Sequence, residues 1–352
     1  MGLLICLAVS QCILPDQDMS RMENRMLAQK PFFSMAGYWD GSYSEALEAF
    51  ASDQLPLRDG FVSLYTAAQW MLGRRTIGDA ILGKGMLFDR SEKWSVRNAG
   101  LNASALEELA QRTGTQAFLL AVPSSAAVYP HKLPASAPVA DEEALLAAAA
   151  GQTHLIPLLA SLREAADGAL LYYATDHHWT AAGAYIGYMN TCTALGIEPE
   201  AQRPSTAVQG FFGSFYARFP LPWLSADSLS YPPCDGIRLL INGEEKTGLL
   251  DPEAFAGRDK YAALLYGNHA SLELINDAAP DRTLLVIKDS YANALLPLLS
   301  THYRRIVAVD PRYFSENIVE FVNEYYEGET ILCVYGLNTL SSGRTIALLE
   351  GL

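Results

Sequence analysis

Apolar positions along the chain fall into two patterns. Continuous apolar runs occupy residues 115–123 (TQAFLLAVP), 169–175 (ALLYYAT), 283–288 (TLLVIK), 305–310 (RIVAVD) and 330–336 (TILCVYG), with the length expected of strands buried on both faces. Helix-like stretches lie between them: SALEELAQRTG at 104–114, with Gly114 as its stop signal, a segment around 142–166, ANALLPLLSTHY at 292–303 and SENIVEFVNEYY at 315–326. Strand–helix alternation of this kind predicts an α/β fold built on a parallel sheet with helices on both faces. Upstream, residues 55–75 predict an amphipathic helix entered after a proline, and AILGKGMLFD (80–89) predicts a glycine-kinked strand or hairpin. Residues 200–265 are rich in Pro, Gly and aromatic side chains and weakly periodic, which predicts an inserted irregular region that shapes a cleft.

With 352 residues, half of them hydrophobic and 18% charged, the chain has apolar material for one large α/β domain or two smaller ones. Lysine and arginine number 25 against 39 aspartates and glutamates, a formal net charge of −14. That charge repels phosphate backbones and anionic membrane surfaces, so no nucleic-acid partner is expected. The cysteines are Cys6, Cys12, Cys192, Cys234 and Cys333, without CxxC or Cys/His spacing. They predict neither a zinc site nor a disulfide framework, and a Cys192–Cys234 bridge stays open for an exported chain. Residues 3–14 (LLICLAVSQCIL) are too few to span a bilayer but suit the core of an export signal or anchor. The expected organisation is an export-signal or anchor remnant and stalk over 1–30 and one domain over 31–352, with the insertion at about 200–265. A buried N-terminal helix is the alternative for the first segment.

Candidate chemistry concentrates in YYATDHHWTAAGAY, residues 172–185. If the run at 169–175 is a strand that continues briefly, Asp176 and His178 share a face and His177 points away. A carboxylate beside an imidazole fixes the ring's tautomer and stabilises the imidazolium formed when it takes a proton. Thr180 is placed to cap the following helix and Trp179 to wall the site. The nucleophile expected for this pair is Ser290, in LLVIKDSYANALLPLLS (284–300), where an apolar run gives way to a helix. Such a serine sits at the carboxyl edge of a sheet, with helix N–H groups aimed at a developing oxyanion. The alternative is a capping role alone, for Ser290 or for Asp289. In YGNHASLELIN (266–276), Gly267 permits close backbone approach and Asn268 offers an amide to an oxyanion, although the same pair is a common turn.

LYYATDHHWTAAGAY resembles the defining motif of the DHHW family, related to the SGNH-like alginate O-acetyltransferases with their D-x-H-W-T signature. LPLRDGF, AILGKGMLF, VPSSAAVYPHKLP, IKDSYANALLP and VAVDPRYF follow in the order that group shows, so the resemblance extends over roughly residues 20–340. It implies an SGNH-hydrolase-like fold with circularly permuted motif order and a triad of Asp176, His178 and Ser290. Gly267, Asn268, His177 and Trp179 are the implied oxyanion and substrate-binding residues, and neither metal nor cofactor is implied. Two positions depart from the pattern: His177 replaces a small polar residue, and Lys288-Asp289 precede the serine where Gly-Thr or Gly-Asp is usual.

The resemblance further implies O-acetyl transfer or acetyl-ester hydrolysis on an extracytoplasmic cell-surface polysaccharide, with acetyl groups delivered by a membrane-bound O-acyltransferase partner. Two other functions compete. A manganese-dependent phosphoesterase would use Asp176, His177 and His178 as ligands, but needs further aspartates at early strand ends, and the only early D-x-D is Asp16-Gln17-Asp18. A surface glycan-binding or scaffold protein would keep the fold without the activity.

Overall fold

The structure, a computed structural model, describes residue 2 and residues 9–343 other than 12, 21, 23, 24, 234 and 327. Its central sheet holds β1 (Gln116–Val122), β2 (His154–Leu155), β3 (Arg238–Ile241), β4 (Glu244–Lys246), β5 (Ser271–Ile275), β6 (Thr283–Lys288), β7 (Arg305–Val309) and β8 (Thr330–Gly336). The order is β4-β3-β5-β7-β6-β8-β1-β2. From β7 to β2 every pairing is parallel, while β5, β3 and β4 are added antiparallel at one edge. The sheet is therefore mainly parallel and flanked by helices, and four of the five apolar runs are its central strands.

Side chains of these strands alternate between two cores. Leu120, Val122, Leu284, Val286, Ile306, Ala308, Leu332 and Val334 belong to one cluster; Leu119, Ala121, Leu285, Ile287, Val307, Val309, Ile331 and Cys333 belong to the other. A strand buried on both faces has no polar face to show, which is why these runs read as continuously apolar. Helix α1 (Val96–Thr113), α2 (Glu142–Ala150) and α4 (Ile318–Tyr325) cover the second face, and α3 (Ala181–Leu195) covers the first. Gly114 ends α1 in the left-handed conformation at φ 67°, the stop signal its position predicts. Thr180 caps α3, accepting from the Gly183 N–H.

One predicted strand is not formed. Residues 171–175 are largely buried, with Leu170 exposed before them, but the run does not join the sheet; its backbone is satisfied otherwise. Leu171 N–H donates to Tyr129 Oη at 2.8 Å, and the Ala174 and Thr175 N–H groups donate to the Asp227 carboxylate at 2.9 and 2.8 Å. A short apolar run reports burial, not pairing. Instead of a strand, the chain makes a tight turn closed by an isolated Tyr172–Trp179 bridge, with Thr180 N–H on Leu171 O at 2.8 Å.

Two strands of the central sheet, β3 and β4, arise from residues 238–246, inside the span expected to be irregular. Residues 55–75 contain the helix Arg58–Met71, and 80–89 form the hairpin Ala80–Leu82 with Leu87–Asp89. Most of the 3–14 leader lies outside the described residues, as do Cys6, Cys12 and Cys234, while Cys192 and Cys333 are buried free thiols. Among the described residues no helix is long and apolar enough to cross a membrane.

Candidate active site

Two adjacent parallel strands, β6 and β8, send their outgoing chains to opposite faces. After β6 the chain packs Leu295, Leu296 and Leu299 into the core on the α3 side. After β8, Leu337 and Leu340 pack on the α1 side. Connections that part in this way open a crevice at the strands' carboxyl ends. Ser290 stands at that point, partly exposed, two residues beyond β6.

Asp289 decides what the serine hydroxyl does. Its Oδ1 accepts from Tyr291 N–H at 3.0 Å, capping the short helix Ser290–Ala294, while Oδ2 accepts from Gly336 N–H at 2.8 Å and Thr339 Oγ1 at 2.7 Å. The cap is thus Asp289, and the turn is tied to the end of β8. Ser290 Oγ lies 2.7 Å from His178 Nε2. His178 Nδ1 lies 2.5 Å from Asp176 Oδ1. An ionised carboxylate only accepts, so Nδ1 carries the hydrogen and Nε2 faces the serine as the acceptor.

Asp176 is held from three directions. Oδ1 also accepts from the His178 N–H at 2.9 Å, which closes the turn on itself, and Oδ2 accepts from the Ser214 N–H at 2.6 Å. Burial pushes this carboxyl up, but the neighbouring His178 and His177 rings and the Ser214 N–H outweigh it and hold the pKa well below the usual carboxylate range. Tyr261 lies flat on His178, ring centroids 3.7 Å apart and planes 8° apart, and its hydroxyl donates to Ser290 O at 3.1 Å. The stacked ring fixes the plane of the imidazole.

His177 does not point away, as a strand would require. The tight turn brings its ring to 3.8 Å from that of His178, with Nδ1 2.8 Å from Ser214 Oγ. Burial and the adjacent His178 lower its pKa, against the pull of Asp176, Asp89 and Asp289. Trp179, expected as a wall of the cleft, is fully buried. The bridge at Tyr172 turns it into the core, where its Nε1 donates to Tyr291 O at 3.0 Å and supports the serine turn from beneath. Gly267 adopts φ 89°, but its N–H already donates to Leu264 O at 3.1 Å, so it is not available to an oxyanion. Asn268 is exposed, and Ser290 N–H makes no hydrogen bond among the described residues.

The metal alternative fares poorly on donor chemistry. Asp176, His177 and His178 do offer ligand atoms within 4.8 Å of one another. Those atoms are already matched to Ser290, to Ser214 and to each other, and Asp16 and Asp18 are exposed in the N-terminal segment. Sequence reasoning missed Ser214, Tyr261 and Asp227, which carry no motif; their one signal is membership of the aromatic, glycine-rich span at 200–265.

Residues 146–309 match the family model described as DHHW protein. The candidate site lies inside this match. The match takes in the DHHW turn, Ser214, Tyr261 and Ser290. Among solved structures, a DHHW family protein from Eubacterium siraeum DSM 15702 is similar at a TM-score of 0.65 and 19% identity, over 78% of this chain and 98% of that one. Bacillus cereus PatB1 is similar at 0.63 and 20% identity, over 76% and 98%. PatB1 with a sulfonyl adduct gives 0.62 and 19%, over 78% and 99%. At these identities the likeness to the solved structures is one of fold. No curated protein matches the chain.

Proposed function

We propose that the protein is a serine-dependent O-acyltransferase or acyl esterase that works through an acyl-Ser290 intermediate. The observation that carries this is the unbroken Asp176–His178–Ser290 hydrogen-bond chain, at 2.5 and 2.7 Å, ending on a partly exposed hydroxyl at the sheet's switch point. In the first half-reaction His178 Nε2 takes the Ser290 proton as Oγ bonds to the acyl carbonyl carbon. The tetrahedral oxyanion faces the Ser290 N–H, with the Asn268 amide as a second donor. Collapse breaks the bond to the leaving alcohol, which receives the proton from His178. In the second half an acceptor hydroxyl or water gives its proton to His178 as its oxygen bonds to the acyl carbon; collapse breaks the bond to Ser290 Oγ, which takes the proton back from His178.

The acetyl group and a polysaccharide acceptor outside the cytoplasm follow from the resemblance of the DHHW stretch to the alginate O-acetyltransferases. So does supply of acetyl by a membrane-bound O-acyltransferase. Turnover of p-nitrophenyl acetate by the full chain tests the chemistry. Activity lost in both Ser290→Ala and His178→Ala supports the proposal, and equal rates in wild type and variants contradict it and favour a glycan-binding role.

A further inference from the structure

Lys288 ends β6 with no exposed surface, two residues before Ser290. Its Nζ donates to Asn293 Oδ1 at 2.6 Å and lies 3.5 Å from the Asp289 carbonyl oxygen. Asn293 is itself buried, and its Nδ2 donates to Gly267 O at 3.1 Å. A carboxamide must turn its oxygen to a donor and its nitrogen to an acceptor, so the ammonium sets which way Asn293 faces. One buried cation thereby ties together the end of β6, the short helix that starts at Ser290, and the loop at Gly267.

Stability does not explain this lysine. An unbranched apolar side chain would fill the same space without desolvating a charge, and no carboxylate contacts Nζ among the described residues. The charges that face it are Asp289 on its own turn, Asp310 at the end of β7, Arg312, which pairs with Asp310 at 2.6 Å, and His269 in the loop before β5. Burial prevails over Asp310 and Asp289 and brings the Lys288 pKa down to about 8.

Building on the acyl-serine mechanism, we propose that Lys288 is a positioning residue for Ser290: its charged form locks Asn293 between the serine turn and the Gly267 loop, and loss of that charge relaxes the turn and slows acylation. The test is kcat/KM for p-nitrophenyl acetate across the neutral to alkaline range, using the full chain as wild type, Lys288→Met, Lys288→Arg, Asn293→Ala and Ser290→Ala. Wild-type activity is expected to fall on the alkaline side with a midpoint near the Lys288 pKa of about 8. Lys288→Met should be down roughly 10-fold or more at neutral pH and lack that limb, while its melting temperature is not lowered. Lys288→Arg, charged throughout, should regain part of the rate without the limb, and Asn293→Ala should reproduce the loss without touching the lysine. Wild-type rates with an unchanged alkaline limb in Lys288→Met, or wild-type rates in Asn293→Ala, overturn the assignment. Wild-type rates in Ser290→Ala overturn the acyl-serine mechanism and the lysine's role with it, whereas an inactive Ser290→Ala beside an unperturbed Lys288→Met overturns the lysine's role alone.

Discussion

Replacing Gly213 by alanine strikes the triad through its least obvious support. Gly213 adopts φ −81° and ψ −171°, open to any residue, so the cost of a side chain there is steric. A Cβ added at this position would stand 2.6 Å from Asp176 Cγ, about 1 Å inside normal carbon–carbon contact. Either Asp176 swings away from His178, or the Ser214–Arg218 helix retreats and gives up the 2.6 Å bond from Ser214 N–H and the 2.8 Å bond to His177. Losing one hydrogen bond to a charged group costs about 1.5–3 kcal/mol, and overpacking adds about 1–3 kcal/mol. Together these predict a destabilisation of about 2.5–6 kcal/mol by urea denaturation. A 1 Å displacement of the base predicts a loss of about 100-fold in kcat/KM for p-nitrophenyl acetate. The control is Gly60→Ala, inside the helix Arg58–Met71 with nothing within 4 Å of the added Cβ; it should gain up to about 1 kcal/mol and leave the rate unchanged. A Gly213→Ala protein with wild-type stability and rate would refute the idea that the Ser214 segment orients Asp176.

Three further outcomes follow from the same geometry. Because the Asp176 carboxyl is held below its usual range, its stabilising contribution is complete above the unfolded value of about 3.9 and is lost as pH falls through the folded value. Acid titration of the denaturation midpoint should therefore show a smaller loss in Asp176→Asn than in wild type. Lys288 behaves oppositely: its folded pKa of about 8 lies below its ordinary value of 10.5, so the unfolded chain binds more protons between those values and stability should rise with pH across that window. Burying the charge costs about 3 kcal/mol at neutral pH, and the rise should vanish in Lys288→Met, measured by urea denaturation at several pH values. Trp179→Ala should cost about 3–5 kcal/mol, since a fully buried ring and its bond to Tyr291 O are both lost, which thermal denaturation will read.

Much of this was legible in the sequence because the central strands are buried on both faces, and continuous apolar runs announce that. Ser290 was legible from its place between such a run and a helix, and the spacing of Asp176 and His178 was enough to pair them. The reason given for that pairing was wrong in detail. Asp176 and His178 do not share the face of a strand; they close a turn in which Asp176 accepts both the backbone and the ring N–H of His178. Periodicity carries no information about such a turn, because side-chain bonds to Asp227 replace the ladder. Ser214 and Tyr261 were invisible for a related reason: each acts through contacts made only by tertiary packing, and no local pattern encodes them. Trp179 was misplaced because its direction depends on the bridge at Tyr172, which only the folded turn creates.

The central claim is that Ser290 Oγ becomes acylated, and trapping the intermediate tests it most directly. The full chain is mixed with p-nitrophenyl acetate, quenched in acid, and its peptides are mapped by mass spectrometry. One acetyl group on the peptide containing Ser290, absent from Ser290→Ala and much reduced in His178→Ala, is the predicted result. Acetylation confined to other residues, or the same labelling in Ser290→Ala, would contradict the account.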